Sequence, residues 1–373
     1  MGDFLKRIFF LLIVSLFLNI GVKAIDFSDI SANSAVVMEQ TTKSILFSKN
    51  SKAKMKPAST TKILTAICAL EYGNIDDIVT VSVNAANQEG SSMYIEAGEK
   101  IKLESLIYGL MLNSGNDAAV AIAEHISGSE KKFSELMNKK AKEIGAKSCN
   151  FVTPNGLDDD NHFVTAEDLA LITAYALKNE KFCEIVKTRT KLVTTEKNVK
   201  KYLTNHNKML GLYNGCIGVK TGFTKASGRT LVTAAEKNGI KIIAVTLKAP
   251  NDWNDHKKLL DYGFSIVEEI ELVSEGKILK KAEVKNGVKD YCELVCEKGY
   301  NDIKIKNNKD KFEVKYDIKR LKAPVIKNEV AGRVYVIKNG KRIFETKLLA
   351  AENVEKIYTE DSYWDIFKRF FEI

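Results

Sequence analysis

The chain has 373 residues, 45% of them apolar and 28% charged, which is ordinary for a globular protein and long enough for two domains. Its formal charge of +9 comes from 57 Lys and Arg interleaved with 48 Asp and Glu, and no aromatic-basic module of an RNA- or DNA-binding protein appears, so nucleic acid is excluded as a partner. A basic exterior suits an anionic cell wall or membrane surface instead.

The first 24 residues stand apart from the rest. Lys6 and Arg7 precede an apolar run from Ile8 to Leu18, and Val22-Lys23-Ala24 follows, the layout of a secretory signal peptide cleaved after Ala24. The run is short for a membrane span, which ranks an uncleaved N-terminal anchor second; on either reading the chain is exported.

Residues 25–265 read as one α/β unit. Ser34-Ala-Val-Val-Met-Glu and Ser44-Ile-Leu-Phe-Ser form a strand pair across a polar turn. Pro57-Ala-Ser-Thr-Thr-Lys62 then opens an apolar helix through Ile63, Leu64, Ile67, Cys68 and Leu70, with Gly73 to end it. Ser59 and Lys62, at i and i+3, share a face of that helix. Burial at the helix root disfavours the charge on Lys62, and a neutral amine beside a hydroxyl is a base beside a nucleophile. The helix N-terminus adds positive potential near the serine. Ser51–Lys54 and Ser129–Lys132 have the same spacing, but both sit in lysine-rich stretches that read as solvated.

From Leu103 to Ile126 helical periodicity breaks only at Asn113-Ser-Gly-Asn116, so two helices flank a tight turn. Taken alone, Ser114 reads as a helix cap, and Ser-x-Asn recurs at residues 31, 48, 82 and 148. Only at residue 114 do apolar helices bound a glycine turn that can aim a hydroxyl and an amide into a cleft. Glu167–Leu177 is a further helix with Thr165 as its N-cap. Cys216–Lys220, Arg229–Ala235 and Ile240–Lys248 read as strands, the last two joined by the hairpin signal Asn238-Gly239. A helix over Asp255–Tyr262 ends at Gly263. Lys220-Thr221-Gly222 closes the first of these strands: Lys220 offers positive charge, Thr221 a hydroxyl, and Gly222 room for a substrate backbone. Read plainly, the same tripeptide is a strand-terminal turn with a solvated lysine.

The remaining candidates are weaker. His125, His162, His206 and His256 do not cluster in sequence, and no Gly-x-Ser-x-Gly elbow supports a Ser-His-Asp triad. Asp158-Asp-Asp-Asn161 lacks the glycine and terminal glutamate of an EF-hand and reads as a solvated loop. The six cysteines form no CxxC and have no histidine at zinc spacing; most read as small buried hydrophobes. Residues 268–357 switch to short alternating segments, a small antiparallel β domain with Asn339-Gly340 as a hairpin turn. At the end, residues 358–373 place Tyr363, Trp364, Ile366, Phe367, Phe370, Phe371 and Ile373 on one helical face. Asp365, Lys368, Arg369 and Glu372 lie opposite, as in an interfacial membrane helix; docking on the β domain is the alternative.

Ser59-x-x-Lys62, Ser114-x-Asn116 and Lys220-Thr221-Gly222, in this order, resemble the signatures of the serine penicillin-recognising enzymes. The chain is most similar to the low-molecular-mass D-alanyl-D-alanine carboxypeptidases of the peptidase S11 family. Gly90-Ser-Ser-Met93, Phe151–Leu157, Asn205–Leu210, Thr221–Thr224 and Lys258–Phe264 extend the resemblance over nearly all of the mature chain. It implies the DD-peptidase/β-lactamase-like fold, an antiparallel sheet flanked by helices, followed by an all-β domain and an amphipathic tail that holds the enzyme on the outer face of the cytoplasmic membrane. It further implies removal of the terminal D-Ala from peptidoglycan stem peptides ending in D-Ala-D-Ala, inhibition by β-lactams, and no cofactor or metal. Ser59 is then the nucleophile and Lys62 its base, kept neutral partly by a positive Lys220. Ser114 relays the proton to the leaving amine, and Asn116 holds the substrate amide. The backbone N–H groups of Ser59 and Phe223 form the oxyanion site, and Lys220 and Thr221 take the carboxylate. Two departures stand out: Phe223 replaces a histidine of some relatives, and Asn251–His256 lacks an arginine that some carry there. The competing readings are a β-lactamase, with Glu167 as the candidate deacylating acid, and a non-catalytic wall-binding protein on the same fold.

Overall fold

The computed structural model describes residues 27–306 and 308–358, with residues 363, 367, 368 and 370 beyond them. The signal-peptide expectation at residues 1–24 lies outside the described residues, as does most of the tail expectation at 358–373. Of the described tail residues, Tyr363, Phe367, Lys368 and Phe370 are helical and exposed, and Tyr358 is exposed but outside the helix. Among the described residues no helix is long and apolar enough to cross a membrane. The chain divides into two compact units, one up to Ile266 and one from Val267.

In the first unit five antiparallel strands pair in the order Ile45–Lys49, Ser34–Glu39, Ile240–Leu247, Gly228–Lys237, Cys216–Thr224. The inner strands are covered on both faces, which is why Ser34–Glu39 is buried at every position and shows no polar alternation. Val36, Met38, Val232, Ala234, Ile243 and Val245 join a helical core on one face. That core is built from helices Lys62–Tyr72, Leu103–Leu112, Asn116–Ser127 and Ala166–Ala176. The first is buried continuously from Lys62 to Ala69, as its all-round apolar surface requires. Asn238 and Gly239 both take positive φ, 50° and 77°, as a two-residue hairpin turn demands.

One expectation is met and one is corrected. The stretch at Ser129–Lys132 is solvated, with Lys131 and Lys132 exposed, and it opens a helix, Glu130–Ile144, whose first turn is capped by the Ser129 hydroxyl accepting from Lys132 N at 3.3 Å. Phe133, Met137, Ala141 and Ile144 bury one stripe of it, and its many lysines and glutamates occupy the other side. Gly263 does not end the last helix, which runs over Asp252–Ile266. A Cβ at residue 263 would come within 2.8 Å of Ile242 Cγ2 and 3.0 Å of Val37 Cγ1, so the glycine serves close approach of helix to sheet.

The same helix sends His256 into the sheet, fully buried, 2.6 Å from the Thr233 hydroxyl and 2.8 Å from the Thr246 hydroxyl. Burial pushes its pKa down to about 3 from 6.5. The unfolded chain therefore takes up a proton near pH 6.5 that the folded chain refuses until about pH 3, so stability is lost as pH falls through that window. The slope for one such group is at most about 1.4 kcal/mol per pH unit. Thermal melts between pH 7 and pH 4 should show a larger acid loss in the wild type than in His256→Gln, which offers the threonines a polar partner without a titrating proton. Equal losses would contradict the assignment.

The second unit holds a six-stranded sheet in the order Phe312–Ile318, Val330–Lys338, Lys341–Ala350, Tyr291–Cys296, Ile278–Lys285, Leu321–Lys322, and a separate pair, Val267–Val273 with Tyr300–Ile305. Ala282, Leu294, Val334, Val336 and Leu348 form its core together with Cys292 and Cys296, which lie four apart and so face the same side of their strand. All six cysteines are free thiols, and Cys68, Cys216, Cys292 and Cys296 are buried.

Candidate active site

Ser59 lies in a single 3-10 turn, Ala58–Thr61, that leads into the helix beginning at Lys62. Side chains three apart eclipse in such a turn, and Lys62 Nζ comes within 2.9 Å of Ser59 Oγ. Fully buried Ala58 takes φ 50°, a strained conformation for a non-glycine residue immediately before the serine. Lys62 Nζ donates to Asn116 Oδ1 at 2.7 Å and to the Asn155 carbonyl at 2.6 Å. A neutral amine has two N–H donors and one lone pair. Two carbonyl acceptors use both donors and leave the lone pair for the serine proton. The pKa of Lys62 is held well below its ordinary value, first by complete burial and second by the charge of Lys220; Asp117 pulls the other way.

The corner at residues 113–116 is held by a loop from earlier in the chain. Asn116 donates from its side chain to the Glu89 carbonyl at 2.6 Å and from its backbone to the Ser91 carbonyl at 2.7 Å. Ser114 is nearly buried, with φ 61°. The buried Asp117 carboxylate accepts from the Ser92 hydroxyl at 2.6 Å and from the backbones of Met93 at 3.1 Å and Ile95 at 3.2 Å. Gly90-Ser-Ser-Met93 is thus the segment that wraps this carboxylate. Asp117 was not singled out from the sequence; the signal available was an acid in the first turn of a helix, followed directly by the apolar run Ala118–Ala123.

Cys216–Thr224 is an edge strand, so among the described residues no further strand covers its outer backbone. Thr221, Gly222 and Phe223 line a cleft of about 290 Å³ with Ser59 and Ser114. Lys220 lies behind the wall at 1% exposure, donating to the Thr221 carbonyl at 3.0 Å, and burial pushes its pKa down to about 7. A Cβ on Gly222 would meet Ser59 N at 2.9 Å and the Thr230 hydroxyl at 2.4 Å. Thr230 in turn donates to the Pro57 carbonyl at 2.9 Å, tying the sheet to the serine turn. Gly222→Ala must therefore push strand and turn apart. A displacement of about 1 Å is enough to cost roughly 100-fold in rate. Penicillin acylation of that variant, followed by rapid quench, should be slowed by about that factor; an unchanged rate would show that the strand does not need this approach.

All eight residues singled out from the sequence meet here: Ser59, Ser114, Thr221, Gly222 and Phe223 on the cleft wall, Lys62, Asn116 and Lys220 buried behind it. Other contributors were hidden by sequence distance. The Asn155 carbonyl acts through its backbone, on a loop whose Gly156, at φ 84°, leaves no space for a Cβ beside the Ala58 carbonyl. His162 is buried, 3.1 Å from the Thr61 hydroxyl, and burial pushes its pKa down to about 4. His206 lines the cleft. So do Arg229, Asp252 and Trp253. Glu167 is elsewhere: its carboxylate accepts from Ser51 at 2.6 Å in a separate depression of about 710 Å³ that holds none of the eight.

The D-alanyl-D-alanine carboxypeptidase family profile matches residues 21–251, and that of the penicillin-binding protein 5 C-terminal domain matches residues 268–356. The chain is 35% identical to D-alanyl-D-alanine carboxypeptidase DacF of Bacillus subtilis over 87% of its own length and 86% of the relative's. To DacA of Haemophilus influenzae it is 31% identical over 90% and 88%. Among solved structures, penicillin-binding protein 5 of Haemophilus influenzae superposes with a TM-score of 0.64 at 29% identity, covering 89% of this chain and 100% of that one. The Streptomyces K15 DD-transpeptidase, solved as a point mutant, gives 0.61 at 30% identity over 64% and 99%.

Proposed function

The chain belongs to the D-alanyl-D-alanine carboxypeptidase family, a family of serine peptidases, and on that footing we propose that the Ser59 cleft removes the terminal D-Ala from peptidoglycan stem peptides. The observation that carries this reading is the Lys62 amine, buried, held by two carbonyls and 2.9 Å from the Ser59 hydroxyl. Ser59 Oγ attacks the carbonyl carbon of the penultimate D-Ala while its proton passes to Lys62 Nζ. The oxyanion is received by the backbone N–H groups of Ser59 and Phe223, preorganised donors of a kind worth about 3–4 kcal/mol each. The proton then passes through Ser114 to the leaving nitrogen, the C–N bond breaks, and D-Ala departs. Asn116 steadies the substrate amide, and water cleaves the ester to regenerate Ser59. A β-lactam opens on the same hydroxyl. Because Glu167 is engaged with Ser51 outside the cleft, it supplies no deacylating water, which favours a long-lived penicillin adduct over β-lactamase turnover. The test is D-Ala release from a blocked Lys-D-Ala-D-Ala peptide: steady turnover is expected, and a stable fold without release would contradict the reading.

The protein works outside the cytoplasm in this reading, attached peripherally to the outer face of the cytoplasmic membrane. The signal-like residues 1–24 and the exposed Tyr363, Phe367 and Phe370 support that placement. Deleting residues 358–373 should shift the enzyme from the membrane to the soluble fraction with its D-Ala release intact. Unchanged membrane recovery would remove the tail from the account.

A further inference from the structure

We propose that Arg229 receives the substrate's C-terminal carboxylate, with Asp252 and Trp253 holding its guanidinium toward the cleft. This rests on the reading of Ser59 as the nucleophile.

Among the described residues that line the cleft, Arg229 is the one lysine or arginine. In the hairpin formed by the edge strand Cys216–Thr224 and its neighbour Gly228–Lys237 it pairs directly with Phe223, and Thr230 pairs with Gly222. Cross-strand partners stand about 4.5–5.5 Å apart at Cβ. A carboxypeptidase that removes a single residue must bind the terminal carboxylate about one residue's length, roughly 3.5 Å, from the carbonyl under attack. The register and the shared cleft thus put a cation in the neighbourhood of the proposed oxyanion residue.

The local structure fixes this side chain without covering it. The Arg229 carbonyl accepts from Ala249 N at 2.9 Å, which anchors the backbone. Its Nη2 lies 3.0 Å from Asp252 Oδ1, and its Cζ is 5.6 Å from the Trp253 ring. The Asp252 side chain is 4% exposed and that of Arg229 43%, so the positive end of the pair faces the opening. A guanidinium carries five N–H donors, and this contact engages one of its nitrogens; a planar fork is the group suited to a carboxylate. Asp252 Oδ1 also accepts from Trp253 N at 2.9 Å, so the holder is itself held. Lys220, expected from the sequence to take the carboxylate, is 1% exposed, does not line the cleft, and donates to the Thr221 carbonyl. Arg229 supplies the exposed charge, with the Thr221 hydroxyl beside it.

The experiment compares kcat/KM on a blocked Lys-D-Ala-D-Ala peptide with kcat/KM on an activated ester of the same acyl group whose leaving group lacks a carboxylate. R229M should lower the peptide-to-ester ratio by about 10- to 100-fold, the usual weight of a hydrogen-bonded charge. R229K, which keeps the charge but not the fork, should fall between. R229Q carries the same expectation as R229M should that variant fail to fold. An unchanged ratio, whether from equal losses on both substrates or from no loss, overturns the proposal. A wild type that turns over neither substrate would overturn the Ser59 reading itself, so the two failures are distinct.

Discussion

Replacing Ser59 by alanine should abolish D-Ala release and penicillin capture, with a loss of about 10⁴-fold or more, while the fold stands. The loss is large because the hydroxyl is the bond-forming atom, and among the described cleft hydroxyls it is the one hydrogen-bonded to the Lys62 amine. The fold stands because one oxygen is removed from a partly exposed residue and Lys62 keeps both carbonyl acceptors, Asn116 Oδ1 and the Asn155 carbonyl. The test is D-Ala release and thermal unfolding of the variant beside the wild type. Residual release within tenfold of wild type would remove the nucleophile from the account.

Lys62→Met should slow acylation of Ser59 by about 10³-fold, within the range of a positioned general base. Methionine has nearly the same length, but its thioether is not basic enough to take the serine proton. It also strands the Asn116 and Asn155 oxygens, at about 1–3 kcal/mol for each unsatisfied buried acceptor, so a lower melting temperature should accompany the kinetic loss. The pH profile gives a second reading of the same residue. Acylation needs neutral Lys62, so in the wild type the rate should climb with pH through the depressed pKa of that amine. Part of the depression comes from the charge of Lys220. Lys220→Met should therefore move the rising limb to higher pH, whatever it does to the plateau. A limb that stays in place, measured by stopped-flow acylation across pH, would show that the two amines are not coupled.

The sequence made the three signatures legible because each depends on spacing within a few residues. Ser59 and Lys62 share a turn, and Lys220, Thr221 and Gly222 close one strand. The strand pairs around Val36 and around Asn238-Gly239 were legible for the same reason, through local apolar runs and a turn dipeptide. What stayed hidden acts across long separations or through the backbone. Asn155 supports Lys62 by a carbonyl that any residue could offer, 93 positions away. Asp117 orders the Gly90–Met93 loop, and Arg229 meets Asp252, only once the fold brings them together. The hairpin Thr190–Thr194 and Lys200–Thr204 went unseen because most of its positions are exposed or half-exposed, leaving little periodicity to detect. Gly263 misled because glycine marks both helix ends and close packing, and only the Ile242 and Val37 side chains decide between them.

The most direct measurement is mass spectrometry of the chain after brief exposure to benzylpenicillin, with the adduct mapped by proteolysis. One penicilloyl group per chain, located on the Ser59 hydroxyl and persisting through the digest, is the expected result. An adduct on Ser114 or any other residue, or D-Ala release from a protein that never acquires one, would contradict the account.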